Sequence, residues 1–321
     1  MANTIRSFVA LLFLVLGLTK VAPLLSDETA SAPPAILPAE DVSTKEPTYT
    51  LAYKLTAGDE IRTKVLHLVT VDTEIKKVSQ TAKTRSISSK LWTITSVDEA
   101  GTATFVHSVE HVEMWQGVSG RQEVKFDSRT DKSAPPGYEH VMQSVGIPLA
   151  TITMDKYGRV LSRKDAQPQF NPGIGELSIP LPAQPVRVGQ RWSIPDEIKV
   201  KLDDGTVKKI STRQVYRLDS VMTGVATISV ETQVLTPVND PKIQSQLVQR
   251  MQKGLIKFDV DAGKLIYKQM DLNEQVIGFN GPDSVMKYLA RFTEEPAQAD
   301  SPASSNATAE AAKPAAGPAP R

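Results

Sequence analysis

Leu91-Trp92-Thr93-Ile94-Thr95-Ser96-Val97, then Asp98-Glu99-Ala100-Gly101, then Thr102-Ala103-Thr104-Phe105-Val106, is the stretch that decides the fold. Two runs rich in β-branched and aromatic residues are joined by a short acidic loop that ends in glycine, which spells a β-hairpin. The same period-two patterning dominates from Thr48 to Glu295. Turn chemistry recurs at Asp155-Lys156-Tyr157-Gly158, Asp203-Asp204-Gly205 and Asp261-Ala262-Gly263. In each, a short acidic side chain can bond the turn backbone and a glycine can take positive φ. The predicted fold is mainly β, a curved antiparallel sheet or an incomplete β-barrel or sandwich with two short helices against it.

Two segments break the β rhythm. Tyr138, Val141, Met142 and Val145 fall at helical spacing after Pro135-Pro136-Gly137, with Gly146 as a stop. From Asp240 to Gly254 a longer helix is predicted. Asp240 would be its N-cap, Pro241 its first residue, Ile243, Leu247 and Met251 one face, and Gly254 its end.

An internal echo organises these pieces. Thr56-Ala57-Gly58-Asp59-Glu60-Ile61 resembles Arg187-Val188-Gly189-Gln190-Arg191-Trp192, and the Trp92 hairpin resembles the run from Val215 to Ile228. A duplicated β-unit is one reading and a shared generic hairpin pattern is the other. The expected organisation is one β-rich domain over 48–295, with halves 48–165 and 186–295 and a proline-rich crossover at 167–185.

The ends differ in kind. Phe8 to Leu18 is an apolar run behind Arg6, the pattern of a signal peptide over residues 1–25 or of an uncleaved N-terminal anchor. Lys20 and Pro23 leave the run too short for a comfortable membrane span. Residues 26–47 read as a flexible linker, and 296–321, dominated by Ala and Pro, as a tail that cannot bury enough surface to order itself. The expected location is therefore exported, periplasmic or extracellular, with the membrane touched only through an uncleaved N-terminal segment.

Composition excludes several classes. With 37 Lys+Arg against 36 Asp+Glu there is no global field for phosphates, so no nucleic-acid partner is expected. Zero cysteines remove disulfides, thiolate metal sites, a Cys nucleophile and a lipoprotein anchor. No cofactor is expected; Gly173-Ile174-Gly175 sits in a proline-rich connection without the strand and helix that a nucleotide loop needs.

The sharpest chemical motif is His107-Ser108-Val109-Glu110-His111, an H-x-x-E-H pattern. Zinc binding by such a motif requires a helix, on which both imidazoles reach one ion. Here the neighbours are strand formers. On a strand the two rings would share a side roughly 13 Å apart, with Glu110 on the other. His107, Glu110 and His111 are therefore poor metal candidates and are read as ordinary exposed strand residues. His67 and His140 show no triad spacing, and Asp259-Val260-Asp261-Ala262-Gly263 lacks the distal ligands of a calcium loop. The mixed-charge run Arg121 to Lys132 reads as an exposed edge strand guarded by charges, or as a lip for an anionic group using Arg121 and Arg129.

Tyr53, Leu55, Gly58 and Asp59, the turn Asp155 to Val160, and the Leu-Pro-x-x-Pro-Val-x-Val-Gly-x-x-Trp stretch from Leu181 to Trp192 together resemble an uncharacterised family of exported bacterial β-rich proteins, of planctomycete-like type. The resemblance implies export and a β-rich fold similar in outline to periplasmic lipid-carrier half-barrels, and it transfers no functional residue.

The leading expectation is a non-catalytic cell-envelope protein that binds an amphiphile or another envelope component, such as a lipid, in a β-lined cavity. Candidate ligand-binding residues are Trp92, Phe105, Trp192, Tyr216 and Met251, with Arg121 and Arg129 at the edge. The alternatives are a metal-dependent or other hydrolase of envelope material, for instance through the His107/His111 region, and a structural protein–protein interaction module presenting its mixed-charge edge.

Overall fold

The computed structural model describes residues 34–37, 47–166 and 178–298. The expected signal segment 1–25, most of the linker, the Gly173–Gly175 region and the tail beyond 298 lie outside the described residues.

The described chain forms one antiparallel sheet of 13 strands. In chain order they are β1 (Ala35–Ile36), β2 (Glu60–Ile75), β3 (Val78–Val97), β4 (Ala103–Val118), β5 (Val124–Asp127), β6 (Pro148–Met154), β7 (Val160–Asp165), β8 (Arg191–Lys201), β9 (Val207–Met222), β10 (Val225–Val234), β11 (Lys253–Asp259), β12 (Lys264–Ile277) and β13 (Ser284–Pro296). Helix α1 (Glu139–Ser144) stands between β5 and β6, and α2 (Pro241–Leu247), followed by a 3-10 turn (Val248–Arg250), between β10 and β11. The spatial order is β1-β8-β9-β10-β11-β12-β13-β2-β3-β4-β6-β7, with β5 attached to β4. The sheet is not closed. Its middle is the β12–β13 pair, and β1 and β7 are its two ends.

Two adjacent residues reveal the curvature. Tyr53 N donates to Lys156 O at 2.7 Å, on the β6–β7 turn, and Lys54 N donates to Gly263 O at 3.1 Å, on the β11–β12 turn. In the sheet β12 and β6 are five strand spacings apart, which in a flat sheet is about 24 Å. The sheet must therefore curl until both turns meet one extended segment. The concave face holds the main core. Phe105, Ile152 and Met154 from one limb meet Trp192, Tyr216, Ile228 and Phe258 from the other, under Leu51, Tyr53, Ile179 and Leu181.

The two segments that close this end are built alike. Asp59 N donates to Thr56 O and Gln190 N to Arg187 O, each at 3.1 Å, and Gly58 (φ +91°) and Gly189 (φ +84°) occupy the same left-handed position. Gly58 N then bonds Ile94 O on β3 at 2.8 Å, and Gly189 N bonds Leu218 O on β9 at 2.7 Å. The sequence echo thus marks two turns of equal geometry that launch β2 and β8.

The helices are shorter than their patterns. Asp240 caps α2 by accepting from Lys242 N at 2.8 Å, as its position before Pro241 requires. The predicted run to Gly254 is corrected, because the α-helix ends at Leu247 and Gly254 lies inside β11. There a Cβ would stand 2.0 Å from Gln269 O, so glycine is required by close strand approach and not as a helix stop. Met251 consequently sits beyond the 3-10 turn, off any helical face. The edge strand predicted from Arg121 to Lys132 is shortened to β5, which pairs only with β4. Ala35 and Ile36, inside the stretch read as a linker, pair with Ser193 and Trp192.

Candidate functional site

Along the central strands, side chains alternate between the concave and convex faces. In β3 the concave set is Ser86, Ser88, Lys90, Trp92 and Ile94; in β13 it is Met286, Tyr288, Ala290, Phe292 and Glu294; in β12 it includes Lys268 and Met270. Charged residues thus stand in phase with the core. They form a polar belt between the main core and a second apolar cluster of Val69, Val71, Val248, Val276, Phe279, Met286 and Tyr288.

At the centre of the belt, Lys90 Nζ lies 3.2 Å from Glu294 Oε1, and both side chains are 5% exposed. The same oxygen accepts a hydrogen bond from Thr63 Oγ1 at 2.8 Å. Lys268 is Glu294's cross-strand partner and only 3% exposed. Its side chain makes no hydrogen bond or ion pair among the described residues. Its ammonium group stands 5.5 Å from the centre of the Phe292 ring, and Lys90 Nζ stands 5.9 Å from the same centre. Burial is the largest influence on Lys90 and lowers its pKa; Glu294 opposes the shift and the Lys268 charge adds to it.

Two histidines border the belt. His67 faces Phe292, with ring centres 6.3 Å apart, and burial lowers its pKa. His107 pairs across β3 with Trp92 and across β6 with Ala150. It is 5% exposed, and neither ring nitrogen has a hydrogen-bond partner among the described residues. Burial above all, then the charges of Lys90 and Arg163, lower its pKa to about 4 against a smaller opposing effect of Glu294. His107 is therefore a neutral, buried group at pH 7.

This corrects the reading of His107 as exposed. Its environment depends on which face of β4 is concave, and strand periodicity alone does not settle that. The expected geometry of the motif also changes. The β3–β4 register shifts between Ser89 and Lys90, so that Val109 opposes Lys90 while His111 opposes Ser89. His111 therefore leaves the concave face that holds His107. Glu110 accepts from Arg62 Nε at 3.1 Å and from Ser89 Oγ at 3.2 Å on the convex side. No group of three or more potential metal ligands exists among the described residues.

The aromatic candidates gather in the main core as two stacked pairs. Trp92 and Phe105 have ring centres 4.5 Å apart, and Trp192 and Tyr216 have theirs 5.6 Å apart. Trp192 Nε1 donates to Pro180 O at 2.9 Å, and Tyr216 Oη donates to Gln214 Oε1. Trp92 is half-buried and borders the belt through His107, whereas Phe105, Trp192 and Tyr216 are sealed. Met251, Arg121 and Arg129 stand apart from this group. Arg121 is exposed in the turn after β4, and Arg129 donates to Asp127 Oδ1 and Oδ2 at 3.1 Å each. A groove of about 590 Å³ beside β5 is lined by Arg85, Glu113, Trp115, Lys125 and Asp127 among others, and neither arginine contributes to it.

Reading strand charges as solvent-exposed missed the belt residues Lys90, Lys268 and Glu294. A signal was present, since each is in phase with apolar neighbours: Lys90 with Trp92 and Ile94, Lys268 with Met270, Glu294 with Phe292.

No protein-family model and no curated protein matches the sequence. Among solved structures, a study of lipid–protein interactions in lipovitellin matches with a TM-score of 0.43 and 12% identity over 79% of this chain. The match spans 27% of the lipovitellin chain. OccK5 of Pseudomonas aeruginosa matches with a TM-score of 0.23 and 9% identity, covering 75% of this chain and 99% of its own. DynF of the Micromonospora chersina dynemicin pathway matches with a TM-score of 0.21 and 6% identity, covering 81% and 92%. These likenesses are too distant to carry function, which rests on the chain's own residues.

Proposed function

We propose that this is an exported, non-catalytic protein that binds an amphiphile on the concave face of its sheet. The observation that carries the reading is the polar belt of Lys90, Lys268, Glu294 and His107 set between two apolar clusters. A core whose only task is stability would fill these positions with apolar side chains, because buried charges cost several kcal/mol each before pairing. A ligand with a polar head and an apolar body matches such a surface, head on the belt and body along the flanking side chains. His67, Ser86 and Met114 on neighbouring strands are half-buried and offer an approach to it. Export rests on the apolar run Phe8 to Leu18 behind Arg6.

The hydrolase alternative through His107 and His111 is not carried further, because the register shift parts the two rings onto opposite faces of β4.

Native mass spectrometry of the full chain, purified from the envelope fraction of a lipid-containing host, tests the proposal. Discrete extra mass that disappears on organic extraction is expected. A bare polypeptide mass, together with no uptake of added amphiphile, would overturn it.

A further inference from the structure

The belt holds two ammonium groups and one carboxylate, which leaves one uncompensated positive charge in a buried place. Glu294 commits Oε1 to both Lys90 and Thr63, while Lys268, directly opposite it in the β12–β13 register, makes no side-chain hydrogen bond among the described residues and stands over the Phe292 ring. Neither bordering histidine offers a negative charge, and His107 is neutral. Its two nitrogens have no partner among the described residues, so a polar donor or acceptor is also unanswered next to Lys90.

Two ammonium groups sharing one carboxylate in a place this closed to water are unfavourable unless a further anion joins the site. The immediate surroundings are apolar. Ile256 is the cross-strand neighbour of Lys268 on β11, Val65 is that of Glu294 on β2, and Phe292 lies under both ammonium groups. A free inorganic ion would satisfy the charge but leave this apolar lining unmatched. From this geometry we infer that the belt takes the anionic headgroup of an amphiphile, a carboxylate or a phosphate monoester, with Lys268 as its principal cation and Lys90 beside it. The inference rests on the amphiphile reading above and adds the charge of the cargo to it.

A matched set of ligands separates the two. Isothermal titration of the lipid-stripped full chain would use hexadecanoate, hexadecan-1-ol and inorganic phosphate, the first two delivered from cyclodextrin. A charge-assisted contact predicts that hexadecanoate binds about tenfold to a hundredfold more tightly than the alcohol. Lys268→Met should bring acid and alcohol to the same affinity, and Lys268→Arg should keep the preference. Lys287→Met, an exposed lysine on the convex phase of β13, should also keep it. Circular dichroism confirms that each variant is folded. Equal affinity of the wild type for acid and alcohol would overturn the anionic headgroup and leave the amphiphile reading standing. Binding of neither would overturn both. Phosphate bound as tightly as hexadecanoate would overturn the requirement for an apolar body.

Discussion

Lys90 and Glu294 are 204 residues apart in sequence, yet their charged atoms meet at 3.2 Å inside the curl of the sheet. β2 separates their strands, and Thr63 of β2 donates to the same carboxylate oxygen. Three neighbouring strands therefore converge on one carboxylate. The pair's energetics differ sharply from those of surface ion pairs such as Lys125–Glu123, which are worth little.

Removing the carboxylate should be costly and removing the unpaired cation should not. Glu294→Gln leaves two buried ammonium groups facing each other, and a loss of about 3–5 kcal/mol is expected in urea unfolding. Lys268→Met removes an uncompensated charge and replaces it with an apolar chain of similar length. The empty protein should be unchanged or more stable by about 1 kcal/mol. A stabilised variant that no longer prefers the acid would show that Lys268 is kept for binding.

His107 makes stability depend on pH in a definite sense. Its pKa in the unfolded chain is near 6.5 and in the folded chain about 4, so within that window only the unfolded state takes up the proton. The contribution is fully present above pH 6.5 and is lost as the pH falls toward 4, amounting to roughly 3 kcal/mol. Lys90, Arg163 and Glu294 are the charged groups acting on the ring, and His67 shifts in the same direction. His107→Leu should flatten the fall in unfolding free energy between pH 6.5 and 4; an unchanged slope would place the proton uptake elsewhere.

The β2–β3 turn carries local strain. Lys76 (φ +48°) and Lys77 (φ +67°) both occupy the left-handed region that Asn and Gly fill in two-residue hairpin turns. Lys76 N donates to Asp283 O at 2.9 Å, a bond that an asparagine backbone keeps. The double change Lys76→Asn, Lys77→Gly should stabilise the protein by about 1–2 kcal/mol, read as a higher unfolding midpoint.

Gly254 should tolerate no side chain. Its Cβ would meet Gln269 O at 2.0 Å and Met270 Cα at 2.8 Å, both backbone atoms that cannot rotate away. Gly254→Ala is expected to cost about 1–3 kcal/mol or more and to open the β11–β12 pairing, seen as faster amide exchange at Lys268 and Met270.

Local chemistry explains what could be read in advance. The hairpin at Asp98 to Gly101, the turns ending in Gly158, Gly205 and Gly263, and the Asp240-Pro241 cap each depend on a few consecutive residues, and all are present. The β2–β3 turn carries no such local signal, because lysines occupy the positions where glycine and asparagine normally stand. The helical pattern runs past the end of α2 because Ile243, Leu247 and Met251 keep helical spacing across the point where the chain turns toward β11. For His107, alternation fixes that a residue shares a face with Phe105 but not which face is concave, and a single register shift decides the fate of His111. The belt required knowing that β12, β13, β2 and β3 are adjacent, a pairing of the chain's last strands with its first long ones that no short motif encodes.

A carbon NMR titration of [1-13C]hexadecanoate bound to the full chain addresses Lys268 and the headgroup together. A carboxyl placed in an apolar cavity without a cation has its pKa pushed up and titrates well above its value in water. Beside Lys268 and Lys90 the bound resonance should keep the position of an ionised carboxylate from pH 8 down to 5, and Lys268→Met should abolish that behaviour. A bound resonance that protonates within this range in the wild type, or no bound resonance at all, would contradict an anionic headgroup held on the concave belt.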